Sequence, residues 1–195
     1  MRTPLATLTA ILLLQACGGD KAANDSANAD SAAGRGGAAR TDSASGAAAT
    51  ATVPIRNAAG RELGTLTLSD TPSGIMAMGS LTGLPPGEHG AHIHMTGQCQ
   101  APFESAGGHW NPTTKQHGSQ NPQGPHLGDM QNITVGADSS ATVHLTTPSG
   151  TLRGTNGLMD ADGASIVIHA AADDYKTDPS GNSGARIACG VVTAG

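Results

Sequence analysis

The chain has 195 residues and a formal charge of −5, from 10 Lys and Arg against 15 Asp and Glu. That length suits one domain of ordinary size. The modestly acidic balance, with no basic patch interleaved with aromatics, excludes a general nucleic-acid binder.

Arg2 precedes an apolar run, Leu5 to Leu14, too short to persist as a membrane-spanning helix. The run ends in Leu14-Gln15-Ala16-Cys17, which resembles the bacterial lipobox. Residues 1–17 then read as a lipoprotein signal peptide with Cys17 as the lipid anchor, giving an exported, membrane-anchored protein facing the periplasm or cell surface. The alternative is an ordinary signal peptide cut nearby, with Cys17 incidental. Gly18 after the cysteine, in place of aspartate, points to outer-membrane or surface retention if the host has an outer membrane. From 18 to 51 the chain is Ala, Gly, Ser, Asp and Asn with few apolar side chains. Such a stretch cannot bury enough surface to offset ordering entropy, which predicts a disordered tether. Three cysteines are an awkward number for an exported protein. If Cys17 carries lipid, Cys99 and Cys189 remain to pair in an oxidising compartment. They would close a loop of about ninety residues, a staple of roughly 4.5 kcal/mol.

The folded domain is expected over 52–195. Short alternating stretches separated by turn residues predict strands at Thr52–Arg56, Glu62–Leu68, Ile75–Leu81, His89–Met95, Ile133–Val135, Ala141–Thr147, Leu158–Asp160, Ser165–Ala170 and Arg186–Val192. Breaks such as Leu84-Pro85-Pro86-Gly87 punctuate them, and no segment reads as a helix. Phe103, Trp110 and Tyr175 are the whole aromatic set, so the core must come from Val, Ile, Leu, Met and Ala. The expectation is an all-β fold, a Greek-key β-barrel or flattened sandwich. Two long irregular segments, Thr96–Asn132 and Ala171–Ala185, interrupt it, and long loops in a compact domain are usually functional.

The first of these loops, with the strand before it, concentrates the chemistry. Six of the eight histidines lie between His89 and His126, closed by Asp129. On a strand His92 and His94 share one face about 6.6 Å apart, and can lean onto one metal. His109, His117, His126 and Asp129 sit on a Gly-, Pro- and Asn-rich segment able to fold three nitrogens and an oxygen around an ion. His144, on a strand with alternating neighbours, reads as an exposed side chain. Met76, Met78, Met95, Met130 and Met159 read as gap-fillers in a core poor in aromatics.

The ordered set G-E-H-G-A-H-I-H, G-G-H-W-N-P, H-G, P-H-L-G-D, I-V-I-H with D-D beyond it, and G-N-S-G-A-R-I-A-C-G-V-V resembles the copper/zinc superoxide dismutase family, in its bacterial exported branch. The resemblance runs from about Thr52 to the C-terminus. It implies one copper ion held by His92, His94, His109 and His169, and one zinc ion held by His109, His117, His126 and Asp129. His109 would bridge them as imidazolate. The implied reaction is disproportionation of superoxide to dioxygen and hydrogen peroxide by Cu(II)/Cu(I) cycling, with zinc ordering the site and His109 as proton store. Arg186 matches the arginine that guides the anion, Asp173 the carboxylate linking His92 to His117, and the Cys99–Cys189 pair would tie a loop beside Arg186. His89 matches a structural hydrogen-bonding histidine. Ala91, Gly108 and Trp110 depart from the usual residues around the ligands. The family includes homodimers and monomers, so oligomeric state stays open. A rival of another class is a metal-binding module without turnover, against which Arg186 argues, because storage needs no anion guide.

Overall fold

The structure is a computed structural model, and it describes residues 49–195. The leader ending at Cys17 and the stretch 18–48 lie outside the described residues. Ten strands follow in order: β1 (Thr50–Asn57), β2 (Glu62–Thr71), β3 (Gly74–Thr82), β4 (Gly87–His89), β5 (Ala91–His94), β6 (Ile133–Val135), β7 (Ser140–Thr146), β8 (Ser165–His169), β9 (Arg186–Val191) and β10 (Thr193–Ala194). The helical content of the described residues is one 3-10 turn at Glu104–Ala106. The first strand begins two residues before the expected Thr52, because Thr50 and Ala51 pair with Ser69 and Leu68.

Every ladder is antiparallel. One runs β5-β8-β9-β1-β2-β3-β7 with β10 on β1, and a second joins β4 to β6. The two continue each other. Only Gly90 separates β4 from β5, and β6 turns into β7 through a tight hairpin in which the Gly136 N–H donates to Ser140 O at 2.8 Å. The sheet thus curls into a flattened barrel. The passages from β3 to β4 and from β7 to β8 leave their sheet neighbours, as Greek-key connections do.

The alternation that predicts the strands also fills the barrel. Val53 and Ile55 from β1, Leu66 and Leu68 from β2, and Ile166 and Ile168 from β8 are buried in one aliphatic cluster. Trp110 joins that cluster from the long loop, against Gly150. Two expectations differ. His89–Met95 is not one strand: Gly90 divides it, so that β4 pairs with β6 while β5 pairs with β8. Leu158–Asp160 is not a strand. Leu158 is buried and the Leu158 and Met159 N–H groups bond to Thr151 and Leu152 carbonyls of a nearby loop. Its apolar residue reports burial without a sheet partner.

Leu66 is buried in the barrel on β2, a strand that supplies none of the metal-type residues above. Leu66→Ala is expected to cost about 2–5 kcal/mol, read by denaturant unfolding, while the metal content of the folded protein is unchanged.

Candidate metal centre

β5 is buried at all four positions, Ala91, His92, Ile93 and His94. One edge pairs with β8. Its other edge is met by the long loop, with isolated bridges from His92 to Asp129 and from His94 to His109. The Ile93 N–H donates to Gly128 O (2.9 Å), the Trp110 N–H to Ile93 O (2.8 Å) and the Met95 N–H to Gly108 O (3.0 Å). These bonds clamp a segment without regular structure beside the strand. Gly128 is needed there, since a Cβ at that position would overlap the Ile93 carbonyl. The last ligand-type residue comes from the end of β8, where a register shift between Ile168 and His169 sets His169 opposite Arg186. Bulges that re-aim a side chain are common next to active sites.

His92, His94, His109 and His169 converge, with ligand atoms all within 4.8 Å of one another. The His92 and His94 rings stand 6.5 Å apart, as strand geometry predicts. His92 Nδ1, His94 Nε2, His109 Nε2 and His169 Nε2 are buried and have no hydrogen-bond partner. Their opposite nitrogens are engaged. His92 Nε2 donates to Asp173 Oδ2 (2.8 Å), His94 Nδ1 to Gly107 O (2.9 Å) and His169 Nδ1 to Gly184 O (3.2 Å). Fixing one N–H leaves the other nitrogen as a lone pair aimed into the cage, the usual arrangement behind a metal-bound imidazole. Burial pushes His92 down to about 3 and His169 down to about 4, and it lowers His94 and His109. All four rings are therefore neutral at ordinary pH, the state a metal requires.

The second group shares His109. Asp129 Oδ1 lies 2.8, 3.0 and 3.1 Å from Nδ1 of His109, His117 and His126. The His126 and His109 Nδ1 atoms are 3.3 Å apart. A tetrahedral ion with bonds of about 2.0–2.1 Å sets its ligand atoms about 3.3 Å apart, so the spacing fits a closed N3O shell. Asp129 Oδ2 accepts the Gly118 and His126 N–H groups at 2.8 and 3.0 Å. Burial alone would raise Asp129, but the hydrogen bonds from the three histidines outweigh it and hold the carboxyl well below the usual carboxylate range. Burial would likewise lower His117, yet its bonds to Asp129 and Asp173 raise it to about 9.

Asp173 joins the two groups, taking His92 Nε2 on one oxygen and His117 Nε2 on the other, at 2.8 and 3.0 Å. Asn132 clamps the Asp173 backbone from both sides, donating to its carbonyl and accepting its N–H at 3.0 and 2.8 Å. Gly181 (φ +65°) passes so close to the carboxylate that any Cβ there would overlap it. Asp174 is exposed and instead organises the turn, accepting the Lys176 and Thr177 N–H groups. His89 lies with its two ring nitrogens 2.7 and 2.8 Å from the His169 and Pro85 carbonyls, so neither is offered to a metal.

A cleft of about 590 Å³ opens on the first cage, lined by His94, His109, His169 and Arg186 among others. Neither Lys115 nor Lys176 lines it. Arg186 donates from Nη1 to Phe103 O and from Nη2 to Gly107 O, each at 2.7 Å. Those carbonyls belong to the loop that the Cys99–Cys189 disulfide ties to β9, with Cα atoms 5.6 Å apart. Met95 is 52% exposed at the rim, contrary to its expected core role, and Met78 is 46% exposed; Met130 is buried as expected.

Residues 62–192 match the family described as copper/zinc superoxide dismutase (SODC). The chain belongs to that family. A superoxide dismutase (Cu-Zn) of Caulobacter vibrioides is 44% identical over 147 residues, covering 73% of this chain and 84% of the relative. The crystal structure of a SOD-like protein from Bacillus subtilis is similar with TM-score 0.69 and 41% identity, over 72% of this chain and 96% of the other. The Cu/Zn superoxide dismutase from Brucella abortus is similar with TM-score 0.59 and 28% identity, over 73% and 98%.

The two cages gather all seven ligand-type residues, and around them stand residues that sequence reasoning misses. Asn132 positions Asp173, and Asp178 accepts the His117 N–H at 2.6 Å. Glu104 sets its exposed carboxylate 3.9 Å from Arg186. Asn and Asp in turn-rich loops carry a weak signal for such backbone anchoring, and nothing local marks Glu104.

Without metal, His92, His94, His109 and His169 bind protons in the unfolded chain near their ordinary 6.5 but not in the fold. Lowering the pH from 6.5 towards 4 therefore favours unfolding, by up to about 1.4 kcal/mol per pH unit each for His92 and His169, whose folded values lie at about 3 and about 4, with His94 and His109 acting in the same direction. His117 acts in the opposite sense: its contribution is complete below 6.5 and is lost as the pH rises to about 9. Metal-free protein is expected to melt highest near pH 6.5 and lower on both sides; calorimetry showing no loss between 6.5 and 4 would contradict it.

Proposed function

We propose that this chain is a superoxide dismutase that holds copper at His92, His94, His109 and His169, and zinc at His109, His117, His126 and Asp129. The observation that carries this reading is the set of four buried imidazole nitrogens left without partners, all converging on one point beside the cleft. Unsatisfied buried polar atoms cost about 1–3 kcal/mol each, and an ion is what relieves them together. The all-imidazole cage on the cleft suits copper, and the N3O shell suits closed tetrahedral zinc.

Copper supplies the one-electron cycle, and zinc supplies fixed charge without redox chemistry. The residues do the rest. Arg186, always charged, draws a small anion into the cleft and offers it its remaining N–H groups. His109 presents Nε2 to one cage and Nδ1 to the other, so Nε2 can carry a proton while Nδ1 remains held. Asp173 holds Nε2 of both His92 and His117, so that Nδ1 of each is the nitrogen turned towards its cage. Superoxide dismutase is itself a standard example of electrostatic steering and of a diffusion-limited enzyme.

The same reading places the enzyme outside the cytoplasm, consistent with the disulfide, and anchors it to a membrane by lipid on Cys17. Cys17→Ser is expected to move the protein from the membrane fraction to the soluble one.

Protein purified from its native compartment is expected to contain one copper and one zinc per chain and to show cyanide-sensitive dismutation. Full metal occupancy without turnover would favour storage instead. Arg186→Ala is expected to lower kcat/KM by roughly ten- to a hundredfold and to flatten its dependence on ionic strength, at unchanged metal content. Asp173→Ala is expected to weaken zinc retention by about 10–100-fold in chelator competition.

A further inference from the structure

The outer face of β2, β3 and β7 carries a group of side chains that neither cage uses. Burial alternates along β3: Ile75, Ala77 and Leu81 enter the core, whereas Met76 and Met78 face outward. On β7 His144 is exposed between buried Val143 and Leu145. The register sets Met78 directly opposite His144, with Met76 one pair further along, opposite Thr146. On the other flank Met78 and Met76 face Thr67 and Ser69 of β2. A thioether pair and an imidazole thus stand together on a surface otherwise built of hydroxyl side chains.

Solubility does not explain them. Met78 is 46% exposed, and only Met95 at the cleft rim matches it among the large apolar side chains of the described residues. An exposed methionine forgoes the burial that makes it useful in a core. Directly opposed residues of antiparallel strands have Cβ atoms about 4.5–5.5 Å apart, and diagonal neighbours about 7–8 Å. An unbranched side chain with three rotatable bonds spans those gaps, so two sulfurs and one ring nitrogen can meet above the sheet.

We propose that Met76, Met78 and His144 form a surface site for the cuprous ion. Thioethers select soft Cu(I), and imidazole completes the shell. None of the three donors is an anion, so the site has nothing to balance a second positive charge and discriminates against zinc, which favours thiolate, imidazole and carboxylate ligands. None of the three lies on a strand that supplies a cage residue, so the site is independent of dismutation.

The test uses the full chain carrying Cys17→Ser, to remove that thiol as a competing ligand, loaded with copper and zinc and kept reduced with ascorbate under nitrogen. Cu(I) is added as its bicinchoninate complex. The expected result is withdrawal of about one further equivalent of Cu(I), with shifts of the Met76 and Met78 methyl signals in methionine-labelled protein and none at Met130. Zn(II) at the same concentration should shift neither. Met78→Leu and His144→Gln should each abolish the extra equivalent while leaving Tm, cage metals and dismutation unchanged. No extra equivalent in the parent protein, or one that survives both substitutions, overturns the proposal.

Discussion

The site depends first on one carboxylate shared by two buried rings. His92 and His117 are fully buried, so no water can orient them. Asp173 does so instead, with one oxygen on each Nε2. For neutral His92, the far nitrogen committed as donor leaves a lone pair at the near one, whereas His117, raised to about 9, must give up its Nδ1 proton before an ion can take that nitrogen. Asp173 comes from the second long loop, whereas His92 sits on β5 and His117 on the first. Its clamp by Asn132, and the absence of a side chain at Gly181, bring three chain segments to one oxygen pair. Polar bonding thereby fixes the two loops to each other and to β5 at this point.

Such bonding sets the energetics of the whole domain. Four buried nitrogens without partners oppose folding in the metal-free state. Stability must come from the aliphatic barrel and from the long loop closed by Cys99 and Cys189, worth roughly 4.5 kcal/mol in chain entropy. A scaffold held in these two ways can present the rings before an ion arrives, after which metal affinity adds directly to folding free energy. The carboxylates contribute as well, since histidine bonds hold both Asp129 and Asp173 ionised against the burial that disfavours charge.

The sequence exposes this site well because metal chemistry tolerates few residue types. Alternation placed His92 and His94 on one face, and their rings stand at the strand-derived separation. The resemblance supplied the ordered ligand set and Arg186. What escaped it was bonding between distant backbone and side-chain groups. Gly90 splits a continuous pattern because its two halves face different partner strands. Leu158 reads as strand because it is buried, although no strand lies beside it. Met78 and Met95 read as core because their composition is apolar, whereas burial is decided by which face of the pleat is covered. Asn132 and Glu104 act through contacts 41 and 82 positions away, where no local pattern reaches.

The cleft shows how closely Arg186 is coupled to the cage. Gly107 O accepts both His94 Nδ1 and Arg186 Nη2, at 2.9 and 2.7 Å. One oxygen therefore sets the orientation of a ring in the first cage and of the cation above it. Phe103 O takes the other Arg186 donor, and the disulfide ties the same loop to β9, the strand that carries Arg186. A shift of this loop cannot move the guanidinium without also releasing His94. Two of the five guanidinium donors are spent on this positioning, which leaves three for the anion that the proposed function brings to the cleft. Glu104, 3.9 Å away and exposed, offsets part of the charge at the rim. Attraction at the mouth is thus partly screened, while the hydrogen-bonding geometry at the cage is fixed by backbone.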